Sequence, residues 1–402
     1  MHPKKGMDIM DLLMQIPLQE FQQRWAALQK SMEQSGYDIV LAYGNEAEPQ
    51  FVRYLCDYWP SFETAAVIIG KTGEPILLIG PESLTYASER SKIKEVRPLK
   101  AFRESSEPEY PGKPLSYFQQ VIEVCTKGKK PHKIGIAGLS LMPMGVYEDL
   151  RSQVKPYGDV VIEKADSLLT NLRMIKSENE LACMREAAKI TSKTFDYVLE
   201  HIRPGMTENQ VVGLALGKMH ELGAERESYP QWVLAGDGSN QAISRARHKV
   251  LQKNELIHLQ FGARVAGYAS SIGRQVVFGK ADAGQRALIE AGYDAQKYVI
   301  NSLRAGVLAS DVAKGYEHHV AQLGYGDWLL YGPCHGNGLM EGEPPWIETT
   351  ADWVLQKNMT FCVDIFLGNN ELKRGLRVED VIKVDVGHVE QLTDYPRKLF
   401  EL

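Results

Sequence analysis

The chain has 402 residues, 24% of them charged, with a formal net charge of −5 and a pI near 6.1. That length exceeds what one hydrophobic core usually organises, so two domains are expected. The mild acidity, without a basic stripe long enough to track phosphates, argues against a nucleic-acid partner, and no run reaches the roughly 20 apolar residues of a membrane span.

Near the start, Lys4-Lys5 is followed by Asp8 and Asp11 rather than by an apolar signal core, which predicts a cytoplasmic protein. Leu18 to Gly36 has apolar residues at helical spacing (Phe21, Trp25, Leu28, Met32) and ends on glycine, as an amphipathic helix does. Asp38–Tyr43, Thr64–Gly70, Pro75–Gly80, Lys133–Ala137 and Val160–Glu163 read as strands in β/α alternation. Between the first two strands lies Cys56-Asp57-Tyr58-Trp59-Pro60-Ser61-Phe62-Glu63, aromatics around an acid, read either as packing under a domain edge or as a lid over a cationic ligand. These elements predict an N-terminal α/β domain over residues 1–165.

Over 166–402 the texture changes to long helical patterns, Ser177–Ile202 and Thr207–Leu222, the second with Thr207 and Gln210 placed as a capping box. Strands follow at Gln231–Ala235 and Leu256–Phe261, then a glycine-turned hairpin to Arg274. On its first strand His258 and Gln260 share a face; on its second, Ser271 and Gly273 do. Helices at Gly284–Arg304 and Ala309–Leu323 precede strands at Met359–Leu367 and Gly375–Val386. The pattern predicts an α+β domain with a mostly antiparallel sheet. The five cysteines form no CxxC pair, so neither a disulfide framework nor a thiolate zinc site is expected.

Polar residues in apolar or glycine-rich surroundings mark a candidate site. His335 lies in Gly332-Pro333-Cys334-His335-Gly336-Asn337-Gly338, where backbone can approach a ligand closely. Asp364 interrupts the buried strand Thr360–Leu367 and must meet a cation, a proton or several donors. Glu379 shares a strand face with Arg377, which suits either a simple ion pair or a ligand site. Cys334 beside His335 makes a geometrically poor nucleophile pair, because adjacent residues of an extended chain point apart.

Together with the hairpin, these segments resemble the pita-bread family of creatinase, aminopeptidase P, prolidase and methionine aminopeptidase. The matching stretches are Leu172–Ser177, Ile202–Glu208, Phe261-Gly262-Ala263 with Gly267-Tyr268, His335–Pro344, Asn358–Phe361 and Arg377–Asp380. The resemblance implies a creatinase-like N-terminal domain and a C-terminal pita-bread domain, a curved antiparallel sheet flanked by helices. It also implies a homodimer in which the loop carrying Trp59, Phe62 and Glu63 approaches the neighbour's site.

The family's metallopeptidases bind two divalent ions through two Asp, one His and two Glu. Those positions carry Gln260, Ser271, His335, Asp364 and Glu379 here, and a second peptidase histidine is replaced by Gly342. The loss of two aspartates resembles creatinase and ectoine hydrolase. It leads to the expectation of a hydrolase without metal or cofactor that cleaves a C–N bond of a small cationic or zwitterionic compound. In that reading His335 or His248 is the general base, and Asp364 and Glu379 hold the substrate's cationic or N–H portion. Gln260, Ser271, Glu343, Arg377, Trp59, Phe62 and Glu63 complete the binding set. The alternatives are an Xaa-Pro-type metallopeptidase with a reduced metal site and a non-catalytic binding module.

Overall fold

The computed structural model describes residues 14–104, 110 and 112–402; the stretch with Lys4, Lys5, Asp8 and Asp11 lies outside them. Two units result, Ile16–Arg173 and Met174–Leu402.

The first unit opens with α1 (Leu18–Ser35), whose predicted stripe of Phe21, Trp25, Leu28 and Met32 is buried and which ends on Gly36 in the left-handed region. There follow β1 (Ile39–Gly44), α2 (Gln50–Cys56), β2 (Ala65–Gly70), β3 (Ile76–Ile79), α3 (Leu84–Arg90), β4 (Val96–Pro98), α4 (Phe118–Thr126), β5 (Lys133–Ala137), α5 (Met144–Val154), β6 (Val161–Lys164) and α6 (Asp166–Arg173). The six strands form one mixed sheet in the order β4-β3-β2-β1-β5-β6. β1, β2 and β3 are buried along their whole length, which is why they read as short continuous apolar runs without alternation. The expected boundary after 165 moves to Arg173, because α6 packs on α1 and β5.

The second unit begins with α7 (Glu178–His201) and α8 (Glu208–Glu221). Both carry capping boxes, and Thr207 and Gln210 exchange the two bonds that the sequence predicts. Next come β7 (Arg226–Glu227), β8 (Trp232–Ala235), β9 (Ile257–Phe261), β10 (Ala263–Val265), β11 (Tyr268–Ala269), β12 (Ile272–Val277), α9 (Ala283–Ser302), α10 (Ala309–Gln322), β13 (Cys334–Gly336), β14 (Glu343–Ile347), β15 (Thr360–Asn369), β16 (Arg374–Val384), β17 (Val389–Gln391) and β18 (Phe400–Glu401). The main sheet runs β14-β13-β15-β16-β12-β9-β8, with β17 on β16 and β18 on β12. Its pairs are antiparallel except β12 with β18. α9 and α10 cover one face through Leu288, Ala295, Val299, Val312 and Tyr316, packed on Val363, Ile365, Leu376 and Val378.

The predicted hairpin is more elaborate than two strands and a turn. At Gly262 the chain leaves the main sheet and makes a ribbon of β10 and β11 that pairs with β7, and it returns as β12. A Cβ at Gly262 would fall 2.1 Å from the Ser270 carbonyl oxygen, so the crossing tolerates no side chain.

Candidate active site

Register places the site residues in one lateral row. Trp232 opposes Gln260, Gln260 opposes Gly273, Gly273 opposes Glu379, and Glu379 opposes Asp364. Opposed residues of antiparallel strands project from the same face, so the row from β8 to β15 is continuous. Its middle member has no side chain. That gap lets the Gln260 amide nitrogen pass over β12 and donate to Glu379 Oε2.

The row is tied into a network. Arg377 donates to Gln260 Oε1 at 3.2 Å, to the Ala242 carbonyl at 2.6 Å and to the Tyr331 hydroxyl. Its guanidinium stands 3.4 Å from Asp364 Oδ1 and 4.6 Å from the centre of the Trp232 ring. Tyr331 donates to Asp364 Oδ2 at 2.7 Å. Burial works against the Arg377 charge, but Asp364, Tyr331 and Glu379 outweigh it and hold the group protonated. Asp364 thus meets the cation that its burial requires in Arg377, while Glu379 accepts from the Gln260 amide instead of pairing with that guanidinium.

Beside this network lies a second cluster, of His335, Glu341, Cys362 and Glu379. His335 Nε2 is 3.6 Å from Glu341 Oε1, and Cys362 Sγ is 3.6 Å from the same oxygen. Glu341 and Glu379 are neighbours, and both are held above the usual carboxylate range, first by burial; for Glu379 the charges of Glu341 and Asp364 add to it. Two carboxylates this close cannot both ionise cheaply unless a cation comes between them. Burial likewise pushes the Cys362 thiol and the Tyr229 phenol well up.

Row and cluster open onto a cavity of about 300 Å³ whose walls include Tyr229, Trp232, Tyr331 and Trp346, with Gln260, His335, Glu341, Asp364 and Arg377 as polar lining. The structure therefore brings together His335, Asp364, Glu379, Gln260 and Arg377. Other expected residues go elsewhere. His248 is exposed and does not line the cavity, because its neighbour Arg247 is drawn onto the buried Glu208 carboxylate. Ser271 is buried with its hydroxyl 2.9 Å from that of Tyr229, so it props an aromatic wall. Glu343 pairs with Lys176 at 3.2 Å and accepts from the Met340 amide, which fixes the turn carrying Glu341.

Within the N-terminal unit, the Glu63 carboxylate is buried and accepts from the Ser83 amide at 2.9 Å, the Ser83 hydroxyl and the Glu82 amide. It caps the turn before α3 and is not available to a ligand. Trp59 donates to the Glu46 carbonyl and lies 4.9 Å from the Arg53 guanidinium, whereas Phe62 is 83% exposed. Cys334 sits in the core under α9 and α10, as packing. Sequence reasoning missed Glu341, Cys362, Tyr229, Trp232 and Tyr331. Only Glu341 had an available signal, as an acid in the same glycine-flanked turn as His335.

Residues 182–385 match the model of metallopeptidase family M24, and residues 24–175 match the creatinase/prolidase N-terminal domain. The chain belongs to metallopeptidase family M24. It is 27% identical over 332 residues to a Xaa-Pro dipeptidase of Pyrococcus horikoshii, covering 82% of this chain and 86% of that protein. To an uncharacterized peptidase of Bacillus subtilis, YqhT, it is 29% identical over 231 residues, 58% of this chain and 65% of that protein. The fold matches the crystal structure of an X-Pro aminopeptidase from Thermotoga maritima with TM-score 0.81, at 23% identity and over 94% of this chain and 99% of that one.

These relatives overturn the expectation of a metal-independent hydrolase of non-peptide C–N bonds. The chain's family is one of metallopeptidases, and the named relatives above are peptidases along most of its length. Two missing aspartates alone do not signal a change of reaction in a chain that matches the metallopeptidase family and a Xaa-Pro dipeptidase along most of its length. The residues at the family's ligand positions nevertheless do not fit a two-ion centre. Gln260 is spent between Arg377 and Glu379, Ser271 is bonded to Tyr229, and Asp364 already faces a guanidinium.

Proposed function

We propose that the chain hydrolyses the peptide bond of Xaa-Pro dipeptides or similarly short peptides in the cavity of its C-terminal unit, with a reduced metal site. The observation that carries this reading is that His335 and Glu341 line a small aromatic-walled cavity, with the buried Glu379 carboxylate within 4.8 Å of both. Its volume suits a dipeptide better than a protein chain. Trp232, Tyr229 and Trp346 offer flat apolar walls to a prolyl ring. There water attacks the peptide carbonyl, and its proton passes to the departing nitrogen as the C–N bond breaks. Arg377 and Gln260 hold the floor rigid around Glu379. The same reading keeps a small-molecule substrate, a cytoplasmic location and a homodimer; light scattering of the purified chain checks the last.

Purified protein is assayed against a panel of Xaa-Pro, Pro-Xaa and Xaa-Ala dipeptides with added zinc, cobalt or manganese. Cleavage of Xaa-Pro that disappears in His335→Ala and Glu341→Gln is the expected result. If every dipeptide survives under every metal while the protein remains folded, the reading is wrong.

A further inference from the structure

Two of the family's ligand positions, His335 and Glu379, are joined by two donors from outside that set, Glu341 and Cys362. His335 nitrogen, Cys362 sulfur and one carboxylate oxygen each of Glu341 and Glu379 all lie within 4.8 Å of one another. His335 and Cys362 are directly opposed on β13 and β15, Glu379 comes from β16, and Glu341 comes from the turn that Lys176 and Glu343 pin.

Two further observations point to a ligand at their centre. Glu379 is completely buried, yet among the described residues no donor reaches its Oε1; Gln260 holds only Oε2. His335 Nδ1 lies 3.1 Å from the Gly336 carbonyl oxygen, so a proton donated there leaves the Nε2 lone pair facing Glu341. Orienting a ligating imidazole through its second nitrogen is the usual support of a metal-bound histidine.

We propose that His335, Glu341, Cys362 and Glu379 bind a single divalent ion of the zinc class, replacing the two-ion oxygen-rich centre that the remainder of the row no longer supports. Donor chemistry selects the ion. A thiolate and an imidazole with two carboxylates suit zinc or cobalt, whereas magnesium and manganese prefer oxygen alone. Tetrahedral bonds of about 2.0–2.3 Å put ligand atoms roughly 3.3–3.8 Å apart, so the cluster closes on an ion with side-chain shifts of about 1 Å. Gln260 in place of a carboxylate fits the same account, since it supports Glu379 without adding a fourth negative charge beside a single divalent ion. The inference deepens the peptidase reading, but its test does not pass through turnover.

The full-length protein is stripped with a chelator, dialysed and titrated with cobalt(II), followed by near-ultraviolet and visible absorption. One cobalt per chain with a thiolate-to-cobalt charge-transfer band is expected. Cys362→Ser loses the band, whereas Cys334→Ser keeps it. X-ray absorption at the zinc edge on zinc-loaded wild-type protein, which needs no variant to fold, shows one sulfur among nitrogen and oxygen neighbours. Two ions per chain, a band that survives Cys362→Ser, or a zinc edge without sulfur overturns the site. A chain that binds cobalt through Cys362 and cleaves no dipeptide keeps the site and removes only the peptidase reading.

Discussion

Glu379 and Asp380 are consecutive on β16, both completely buried, and they live in opposite electrostatic worlds. Behind the sheet, Asp380 accepts from Arg274 at 2.8 Å, Arg397 at 2.8 Å and Thr393 at 3.1 Å. Arg274 in turn donates to the carbonyls of Gly273, Glu379, Tyr395 and Pro396. In front of the sheet, Glu379 has one oxygen held by Gln260, the other without a donor among the described residues, and a second carboxylate beside it. A buried charge is retained either because its partners are complete or because something outside the chain completes them. Period-two alternation lets one strand do both, with architecture on one face and chemistry on the other.

Removing a member of the rear cluster is the largest break available. Arg274→Met leaves Asp380 with less compensation and several carbonyls without donors, and breaking such a buried pair costs roughly 3–5 kcal/mol. Urea unfolding is expected to show that loss, with activity declining only as the folded fraction does. If Arg274→Met is as stable as the parent, the rear cluster is not the architectural one.

The next effect comes from His258, which shares the front face with Gln260 but is sealed, its Nε2 2.9 Å from the Gly375 carbonyl oxygen. Burial lowers its pKa from the ordinary 6.5 to about 4. The unfolded chain therefore binds a proton between these values that the native chain refuses. Stability contributed by neutral His258 is complete above pH 6.5 and is lost as pH falls towards about 4, by up to about 3 kcal/mol. Comparing unfolding free energies of parent and His258→Gln across that window isolates the term from the carboxylates. Parallel pH profiles would rule it out.

Gly273 tests the gap in the middle of the row. An added Cβ would stand 3.1 Å from the Glu379 nitrogen and 3.2 Å from its Cβ, tighter than ordinary contact. Gly273→Ala is expected to cost about 1–2 kcal/mol through crowding and to prise Gln260 off Glu379, so turnover falls more than stability does. An alanine variant with unchanged kcat and unchanged melting would show that the gap is incidental.

Much of this is legible in the amino-acid sequence. The apolar runs of the first unit, the capping boxes of α7 and α8 and the isolated polar residues His335, Asp364 and Glu379 carry local signals, because period and capping depend on near neighbours in sequence. The detour of β10 and β11 was not legible, since it depends on which distant strand the chain meets at Gly262. Nor was the pairing of Asp364 with Arg377 rather than a ligand, or the capping role of Glu63, because each is settled by register between strands or by a turn far along the chain. Glu341 and Cys362 escaped for the same reason. One sits in an irregular turn and the other reads as an apolar strand residue, and only the opposition of β13 and β15 makes them neighbours of His335.

The smallest expected change in stability belongs to the residue with the largest expected change in function. Glu379→Gln keeps the size of the side chain, can still bond Gln260 through its carbonyl oxygen, and removes a buried carboxylate from beside Glu341. Because the parent carboxyl is already resisted by burial and by its neighbours, its neutral isostere should leave unfolding free energy within about 1 kcal/mol of the parent, or raise it. Cobalt affinity and dipeptide cleavage should both collapse, since the amide offers a far poorer ligand atom at the unpartnered Oε1 position. Set beside Arg274→Met, the expected result is a reciprocal pair. The rear variant loses stability and keeps activity per folded molecule; the front variant keeps stability and loses metal and activity. Thermal melting and cobalt titration of both proteins decide it, and a Glu379→Gln protein that melts several degrees lower while still binding cobalt would place Glu379 with the architecture instead.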